Sequence, residues 1–306
     1  MFSCPFLTTQ INIMNLQKAT RKKVKLRLNI ASPSGFGKTY SALLIAFGLT
    51  GSWEKIAVID TENDSASLYA HLGNFQSLRL DPPYSAERYI DAIRICEKAG
   101  MEVIIIDSIT HFWKGQGGIL EYQISMGGRY QDWAKATPLY QKWLNAILHS
   151  SCHIITTNRK KQGYNMITVG NKTKVEKAGL EDEIRSGYEY EMSLAFEIIN
   201  ENHMAKASKD RTGLFADKPE FLITADTGKQ ILQWCIDGEP ESENTVFERI
   251  SDCRSMEELL RLYYQNPVED EVVLTAFTQK RTELEQAPVP PSLLNIKTQP
   301  QNGHFK

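Results

Sequence analysis

The sequence predicts an α/β fold with a mostly parallel β-sheet. Short apolar runs end in a carboxylate at Lys55–Asp60 and Val103–Asp107, which is typical of central parallel strands covered on both faces. Helical periodicity between such strands, as at Ala86–Ala99, indicates alternation of strand and helix. A segment rich in small residues, Ser32–Thr39, joins the first predicted strand to a helix.

The remaining core elements follow from local signals. Val24–Ala31 alternates apolar residues with Lys and Arg and predicts the first strand. Thr39–Leu49 is apolar nearly all round, which indicates a helix buried between layers. Thr137 and Pro138 supply an N-cap and a first-turn proline for a further helix, and Cys152–Thr157 is the strand after it.

A change of pattern after Gly187 predicts an addition to the parallel sheet. Two apolar runs, Tyr190–Ile199 and Met204–Ser208, are separated by the polar turn Asn200–His203. This spacing predicts a β-hairpin that extends the sheet.

The predicted organisation has four parts. Short amphipathic segments follow a Gly-Glu-Pro boundary near residue 238, and the last twenty residues lack periodicity. The parts are an N-terminal extension over residues 1–20, the α/β core over 21–237, a small C-terminal helical appendage over 240–286 and a disordered tail over 287–306.

Composition excludes several classes of protein. Thirty-five Lys and Arg against 37 Asp and Glu give the 306-residue chain a net charge of −2, so it does not coat nucleic acid by overall charge. A local basic patch is still compatible with this balance. No run of about 18 apolar residues and no signal-peptide pattern occur, so we expect no membrane association. Five scattered cysteines form neither a disulfide framework nor a zinc motif, which favours a cytoplasmic protein with reduced thiols.

The segment Ser32–Thr39 has the chemistry of a phosphate-binding loop (P-loop). Glycines let successive backbone N–H groups converge on an anion, a lysine reaches the β- and γ-phosphates, and a hydroxyl holds Mg²⁺. Ser32 stands where the pattern normally opens with glycine. We therefore expect ATP and Mg²⁺ as ligands. The candidate nucleotide-binding residues here are Ser34, Gly35, Phe36, Gly37, Lys38, Thr39 and Tyr40.

Two carboxylates downstream fit the same chemistry. Asp107 ends an apolar strand and, with Thr39, is the candidate for the Mg²⁺ site. Glu62 follows the strand after the P-loop helix and is the candidate that polarises water for attack on the γ-phosphate. Read alone, Glu62 also fits a solvated loop. Tyr69 either stacks on the base or packs on the sheet.

Taken together, these residues resemble the RecA-like recombinase ATPases. The shared order is a P-loop, a strand ending Asp-x-Glu, a tyrosine seven residues later and a strand ending Asp-Ser. A closer resemblance is to phage-encoded single-domain RecA-like ATPases associated with single-strand annealing and recombination, and it covers about residues 20–236. The segments that carry it are SGFGKTYSALLIA, IAVIDTEN, IIIDSITHFW and SKDRTGLF.

The resemblance implies a homo-oligomer, a ring or a filament, with ATP at subunit interfaces. It makes Lys38 and Glu62 catalytic, and it places a γ-phosphate-sensing side chain at Asn158 or, second, Arg159. Lys209 and Arg211 would reach the ATP of a neighbouring subunit. The alternative for both is a solvated hairpin edge. The acidic residue that recombinases often place near adenine is replaced by alanine at position 66, which leaves base selectivity open.

Two segments are candidates for contact with single-stranded DNA. Lys114–Tyr130 and Arg159–Gly179 lack apolar periodicity and follow core strands, where RecA-like proteins have DNA-facing loops. Basic side chains there would neutralise phosphates and a tyrosine would stack on a base. A solvated, mobile loop is the alternative. The candidate residues are Arg129, Arg159, Lys160, Lys161, Tyr164, Lys172 and Lys174.

These features support two functional hypotheses. The first is a DNA-stimulated ATPase that binds single-stranded DNA and promotes annealing or strand exchange. The second is a P-loop switch or loader that acts on a replication protein without binding DNA. A small-molecule kinase fits less well, because no basic lid segment or acceptor motif is seen. The C-terminal helices would bind a single-strand-binding protein or cap the core.

Overall fold

The computed structural model describes residues 22–169, 172–237, 250–265 and 271–286. The predicted N-terminal extension over 1–20 and tail over 287–306 lie outside these ranges, as do residues 238–249 of the boundary region. The chain forms two compact units, Met1–Pro240 and Glu241–Lys306.

The first unit is built on one mixed sheet, which has nine strands within the described residues. Strands β3, β2, β4, β5, β1 and β7 run parallel in that spatial order, and β8, β9 and β6 add antiparallel pairs. The predicted α/β class with a mostly parallel sheet is confirmed. The strands are β1 Arg27–Ser32, β2 Ile56–Asp60, β3 Gln76–Arg79, β4 Val103–Asp107, β5 His153–Val169, β6 Lys172–Asp182, β7 Leu194–Ile198, β8 Met204–Asp210 and β9 Phe221–Leu222.

Helices cover both faces of this sheet. Alternation along β4 puts Ile106 in one buried cluster with Tyr89 and Trp143, and Ile105 in the opposite cluster with Leu43. The continuous apolar runs are therefore explained by burial on both sides. The helices are α1 Lys38–Thr50, α2 Ala86–Lys98, α3 Thr110–Lys114, α4 Ile119–Ser125, α5 Trp133–Leu148, α6 Tyr188–Glu191 and α7 Ala225–Ile236, with 3₁₀ segments at Trp53–Lys55, Ser65–Leu72 and Tyr130–Asp132.

Helix α1, which follows the P-loop, crosses α7 at close range through two glycines. A Cβ atom at Gly48 would lie 2.0 Å from the carbonyl oxygen of Ala225, and one at Gly228 would lie 2.3 Å from that of Ile45. Only glycine fits at this crossing, so the crossing fixes how α1 lies beneath the sheet.

The structure confirms one predicted hairpin and corrects two predicted loops. Strands β7 and β8 form the expected hairpin, and β7 pairs with β1. The segment Arg159–Gly179 is not a loop, because β5 continues through it and pairs with β6 as an antiparallel hairpin. Its sequence is mostly polar and does not alternate apolar with polar residues, so the periodicity that marks strands was missing. The segment Lys114–Tyr130 contains helix α4.

The second unit has two described helices, α8 Met256–Gln265 and α9 Glu271–Gln286. Leu259 and Leu262 pack with Phe277 in a small apolar cluster of their own. Among the residues that the structure describes, no helix has the length and apolarity needed to cross a membrane.

The buried guanidinium of Arg27 links the start of β1 to the end of α5 through hydrogen bonds. Arg27 is 6% exposed and donates to the carbonyl oxygens of Leu148, Ser150 and Cys152, at 2.5–3.2 Å. These include a carbonyl of the last helical turn, which has no partner within the helix. Burial lowers the pKa of Arg27 to about 10, so the side chain is still protonated at neutral pH.

Replacing Arg27 by methionine should destabilise the first unit by about 3 kcal/mol, because several buried carbonyls lose their donor. Arg27→Lys should not restore stability, since one ammonium cannot reach the same set of carbonyls. Urea unfolding monitored by circular dichroism measures the change. Arg94→Met, at an exposed arginine of α2, is the matched control. Equal stability of Arg27→Met and the parent would contradict the role assigned to Arg27.

Candidate active site

The carboxyl ends of four neighbouring strands meet at one edge of the sheet. Register pairs Asp60 with Asp107 across β2 and β4, Asp107 with Thr157 across β4 and β5, and Ser32 with Arg159 across β1 and β5. A cavity of about 670 Å³ opens there. The sequence-predicted residues that line it are Ser34, Gly35, Gly37, Lys38, Thr39, Tyr40, Glu62, Tyr69, Asp107 and Arg159.

The P-loop is shaped by two glycines in the left-handed region. Gly35 has φ +86° and Gly37 has φ +89°, and α1 starts directly afterwards. The amino end of a helix and an adjacent run of free N–H groups favour an anion. Phe36 lies between the glycines and packs on the apolar cluster under the sheet instead of lining the cavity.

The P-loop lysine is folded onto its own loop. Lys38 Nζ donates to the carbonyl oxygens of Pro33 and Ser32, at 2.9 and 3.1 Å, and lies 3.3 Å from Ser32 Oγ. Burial lowers the pKa of the Lys38 amine below its ordinary range. The serine that replaces the first glycine of the usual pattern thus supplies a hydroxyl next to the lysine.

The carboxylate of Asp107 lies between two threonine hydroxyl groups. Thr39 Oγ1 and Thr157 Oγ1 each donate to one of its carboxylate oxygens. Burial raises the pKa of Asp107, and these hydroxyl groups counteract it. Carboxylate and hydroxyl oxygens are the ligands that Mg²⁺ prefers. The residues present therefore fit the expected Mg²⁺ ion, held by Thr39 and Asp107.

Glu62 is held firmly inside the cavity. Its side chain is 18% exposed and forms a two-pronged ion pair with Arg159, whose Nε lies 3.1 Å from Glu62 Oε1. Ser108 Oγ donates to the same oxygen at 2.8 Å. Asp60 accepts the backbone N–H groups of Glu62 and Ala66, both at 2.7 Å, and so fixes the turn. A freely solvated loop glutamate would have none of these partners.

Two aromatic side chains line the cavity. The rings of Tyr40 and Tyr69 lie 6.0 Å apart at 43°, and both face the cavity. Tyr69 also packs on the apolar cluster beneath the sheet. Its geometry is therefore compatible with both sequence interpretations, stacking on a base and packing on the core.

Asn158 lies away from the cavity. It is fully buried, accepts from Asn29 Nδ2 and donates to Asp182 Oδ1, both at 2.8 Å. Strand alternation directs Asn158 to the face opposite Thr157 and Arg159. The structure therefore corrects the order of the two candidates, because Arg159 and not Asn158 is the side chain beside Glu62.

Lys209 and Arg211 do not line the cavity of their own chain. Lys209 Nζ donates to the carbonyl oxygen of Glu189 at 3.0 Å, and Arg211 Nη2 donates to that of Tyr190 at 2.8 Å. Burial lowers the pKa of Lys209, with the nearby Arg211 charge adding to the effect. Action on the ATP of a neighbouring subunit stays a prediction.

The residues that are candidates for DNA contact differ in their exposure and in their ion pairing. Lys160 is 11% exposed and pairs with Glu197 at 3.1 Å, and Arg159 is engaged by Glu62, so neither presents a free charge. Lys161 and Arg129 are exposed. The side chains of Tyr164, Lys172 and Lys174 lie outside the described part of the structure.

Sequence reasoning did not single out Asp210, which fixes the turn that follows β8. Its carboxylate accepts the N–H groups of Thr212, Phe215 and Ala216 at 2.6–2.9 Å, on the way to β9, whose end lines the cavity. Burial raises the pKa of Asp210, but these hydrogen bonds outweigh burial and lower the pKa overall.

Because the folded state binds the Asp210 proton more weakly than the unfolded state, this carboxylate stabilises the fold above the ordinary aspartate pKa of about 3.9. That contribution is lost as pH falls through the lowered value. Asp210→Asn should cost about 1 kcal/mol at pH 7, and the difference from the parent should shrink towards pH 3.5. Urea titrations across this range measure it, with the exposed Asp217→Asn as control. A difference that grows on acidification would contradict the assignment.

Comparison with known proteins accords with this geometry. The AAA domain family model (AAA_24) matches residues 24–224, which include the P-loop, β2, β4, β5 and the β7–β8 hairpin. No curated protein sequence matches the chain. The match covers more than half of the chain and all the strand ends that surround the cavity. The chain therefore belongs to the AAA_24 family and carries an AAA-type P-loop ATPase domain.

Proposed function

We propose that this ATPase hydrolyses ATP with Glu62 as general base, and that it couples hydrolysis to single-stranded DNA in recombination, by annealing or strand exchange. The observation that carries the proposal is the pairing of Glu62 with Arg159 inside the P-loop cavity. Arg159 belongs to β5, the strand that continues directly into the basic β5–β6 hairpin.

The site residues divide the chemistry among them. Lys38 and the backbone N–H groups of the P-loop bind the triphosphate. Thr39 and Asp107 would hold Mg²⁺, which would neutralise the charge that develops on the phosphate oxygens. Glu62 accepts the proton of the attacking water, and Arg159 stabilises the negative charge of the transferring phosphoryl group.

The same pair also restrains Glu62 before ATP binds. While Arg159 and Ser108 occupy the oxygens of Glu62, the carboxylate is not free to orient water. A γ-phosphate competes for the Arg159 guanidinium, because a phosphate oxygen also accepts two parallel N–H bonds. Binding of ATP then releases Glu62 for catalysis.

Contact with DNA is supported by the β5–β6 hairpin. Lys161, Lys172 and Lys174 lie on its two strands, and Lys161 is exposed, whereas Lys160 at the base of the hairpin pairs with Glu197. A shift of Arg159 towards ATP would be transmitted along the continuous backbone of β5. DNA on the hairpin and phosphate in the cavity would thus act on one strand.

The proposal that the protein assembles as a RecA-like ring or filament is based on two basic residues at the end of β8. Lys209 and Arg211 lie together near the end of this strand, away from the cavity of their own chain. In an oligomer they would approach the ATP of a neighbour and neutralise its phosphates. On the strength of the sequence resemblance to phage recombinases, we also propose that the protein acts in the cytoplasm of a bacterial host.

A switch or loader acting on a replication protein is the second candidate. It is favoured by the internal pairing of Arg159 and Lys160, two of the basic residues first assigned to DNA. The ATP chemistry is the same in both cases. The small C-terminal unit would then bind the partner, for example a single-strand-binding protein.

Glu62→Gln should lower kcat for ATP hydrolysis at least about a hundredfold while leaving ATP binding intact, because the amide keeps the shape and loses the basicity. Steady-state phosphate release and nucleotide titration measure the two quantities. Glu54→Gln, at an exposed glutamate of the same unit, is the control, and Lys38→Ala serves as the blank. Parent-like turnover by Glu62→Gln would exclude Glu62 as the base.

Single-stranded DNA should stimulate hydrolysis, and the stimulation should fall steeply with salt as phosphate contacts are screened. Replacing Lys161, Lys172 and Lys174 together by alanine should abolish the stimulation and leave basal hydrolysis unchanged. The control removes the same charge from exposed lysines of α2 and α5, Lys98, Lys135 and Lys142. Hydrolysis indifferent to DNA at every salt concentration would favour the protein-partnered switch.

A further inference from the structure

We propose that His203 is a positioning residue for the P-loop, and that it orients the Gly37 amide towards the phosphates of the bound nucleotide. His203 lies in the turn between β7 and β8, far from the P-loop in sequence. It also lines the nucleotide cavity. The proposal rests on nucleotide binding by this loop, as set out above, and assigns a role to a residue that no motif contains.

The contact joins the imidazole to the backbone of the loop. His203 Nδ1 lies 2.9 Å from the carbonyl oxygen of Phe36. A carbonyl oxygen only accepts, so Nδ1 carries the hydrogen and donates it. The ring also lies against Gly37, where an added Cβ atom would stand 3.0 Å from Nδ1. Glycine at this position therefore serves both the left-handed backbone and the approach of the imidazole.

This hydrogen bond fixes the plane of one peptide. In a trans peptide the C=O and the following N–H point in opposite directions. Holding the Phe36 carbonyl on the side of His203 therefore turns the Gly37 N–H to the other side of the loop. Because Gly37 has wide backbone freedom, that peptide could otherwise rotate. His203 thus reduces the conformational entropy that the P-loop loses when a nucleotide binds.

The turn that carries His203 is built to hold it in place. His203 has φ +62°, an uncommon conformation for a residue with a side chain. Asn200 fixes the turn, since its Oδ1 accepts the N–H groups of Asn202 and Met204 at 3.1 and 3.2 Å and its carbonyl oxygen accepts that of His203 at 3.1 Å. A conformation kept against its intrinsic cost points to a function. Here it aims the ring at the P-loop.

The test compares nucleotides with and without phosphates. Dissociation constants are measured by isothermal titration for ATP, ADP and adenosine on the full chain. His203→Ala should weaken ATP and ADP about fivefold, the loss of one hydrogen bond, and leave adenosine unchanged because adenosine does not contact the P-loop. His203→Asn should stay within about twofold of the parent, since its amide nitrogen replaces Nδ1 and asparagine tolerates the turn conformation.

A matched control separates this effect from loss of any histidine. His149 Nδ1 is 2.9 Å from the carbonyl oxygen of Asn145 at the exposed end of α5, so His149→Ala removes a similar contact away from the cavity. It should leave all three affinities unchanged.

Three results would overturn the assignment. Parent-like ATP and ADP affinity in His203→Ala would show that the contact does not position the loop. An equal loss for adenosine would indicate general disturbance of the cavity, and failure of His203→Asn to recover affinity would exclude the donor role. If the parent itself bound no ATP, both the proposed function and the role of His203 would fail. The three results above concern only the variants, so they leave ATP binding by the parent, and with it the proposed function, intact.

Discussion

The parallel arrangement of β2, β4, β5 and β1 is the constraint on which the site depends. Parallel strands end at the same edge of a sheet, so the residues that follow them are brought together whatever their separation in sequence. Here the register sets Asp60 beside Asp107 and Ser32 beside Arg159. Insertion of β5 between β1 and β4 places Arg159 between the P-loop and Asp107, within reach of Glu62.

The charges at this edge are all satisfied by the protein itself. Lys38 donates to P-loop carbonyls, Asp107 accepts from two threonines, and Glu62 pairs with Arg159. Burial lowers the pKa of Lys38 and raises that of Asp107, because water solvates the charged forms poorly at this edge. A Mg²⁺-bound triphosphate would exchange these internal partners for phosphate oxygens and the metal. In this exchange Lys38 and Asp107, whose present partners are uncharged, would each gain a partner of opposite charge.

Sequence pattern was sufficient for the fold class and for the outline of the site. Apolar runs ending in carboxylates and a glycine-rich turn with Lys38 and Thr39 are local signals, and the structure brings their residues into one cavity. What the pattern lacked was register and long-range contact. The choice between Asn158 and Arg159 depends on which face of β5 each occupies, and one residue of register reverses it. His203 and Phe36 meet only in the folded chain. The sequence of the β5–β6 hairpin does not alternate apolar with polar residues, so the pairing of β5 with β6 could not be predicted from periodicity.

The most direct measurement is a crystal structure of the Glu62→Gln variant with Mg²⁺ and ATP. We expect the triphosphate on the backbone amides of Gly35–Thr39, the metal beside Thr39 and Asp107, and the Arg159 guanidinium moved from residue 62 to the γ-phosphate. ATP bound elsewhere, or Arg159 still paired with residue 62 when the γ-phosphate is in place, would contradict the central claim that this cavity is an ATPase site controlled by the Glu62–Arg159 pair.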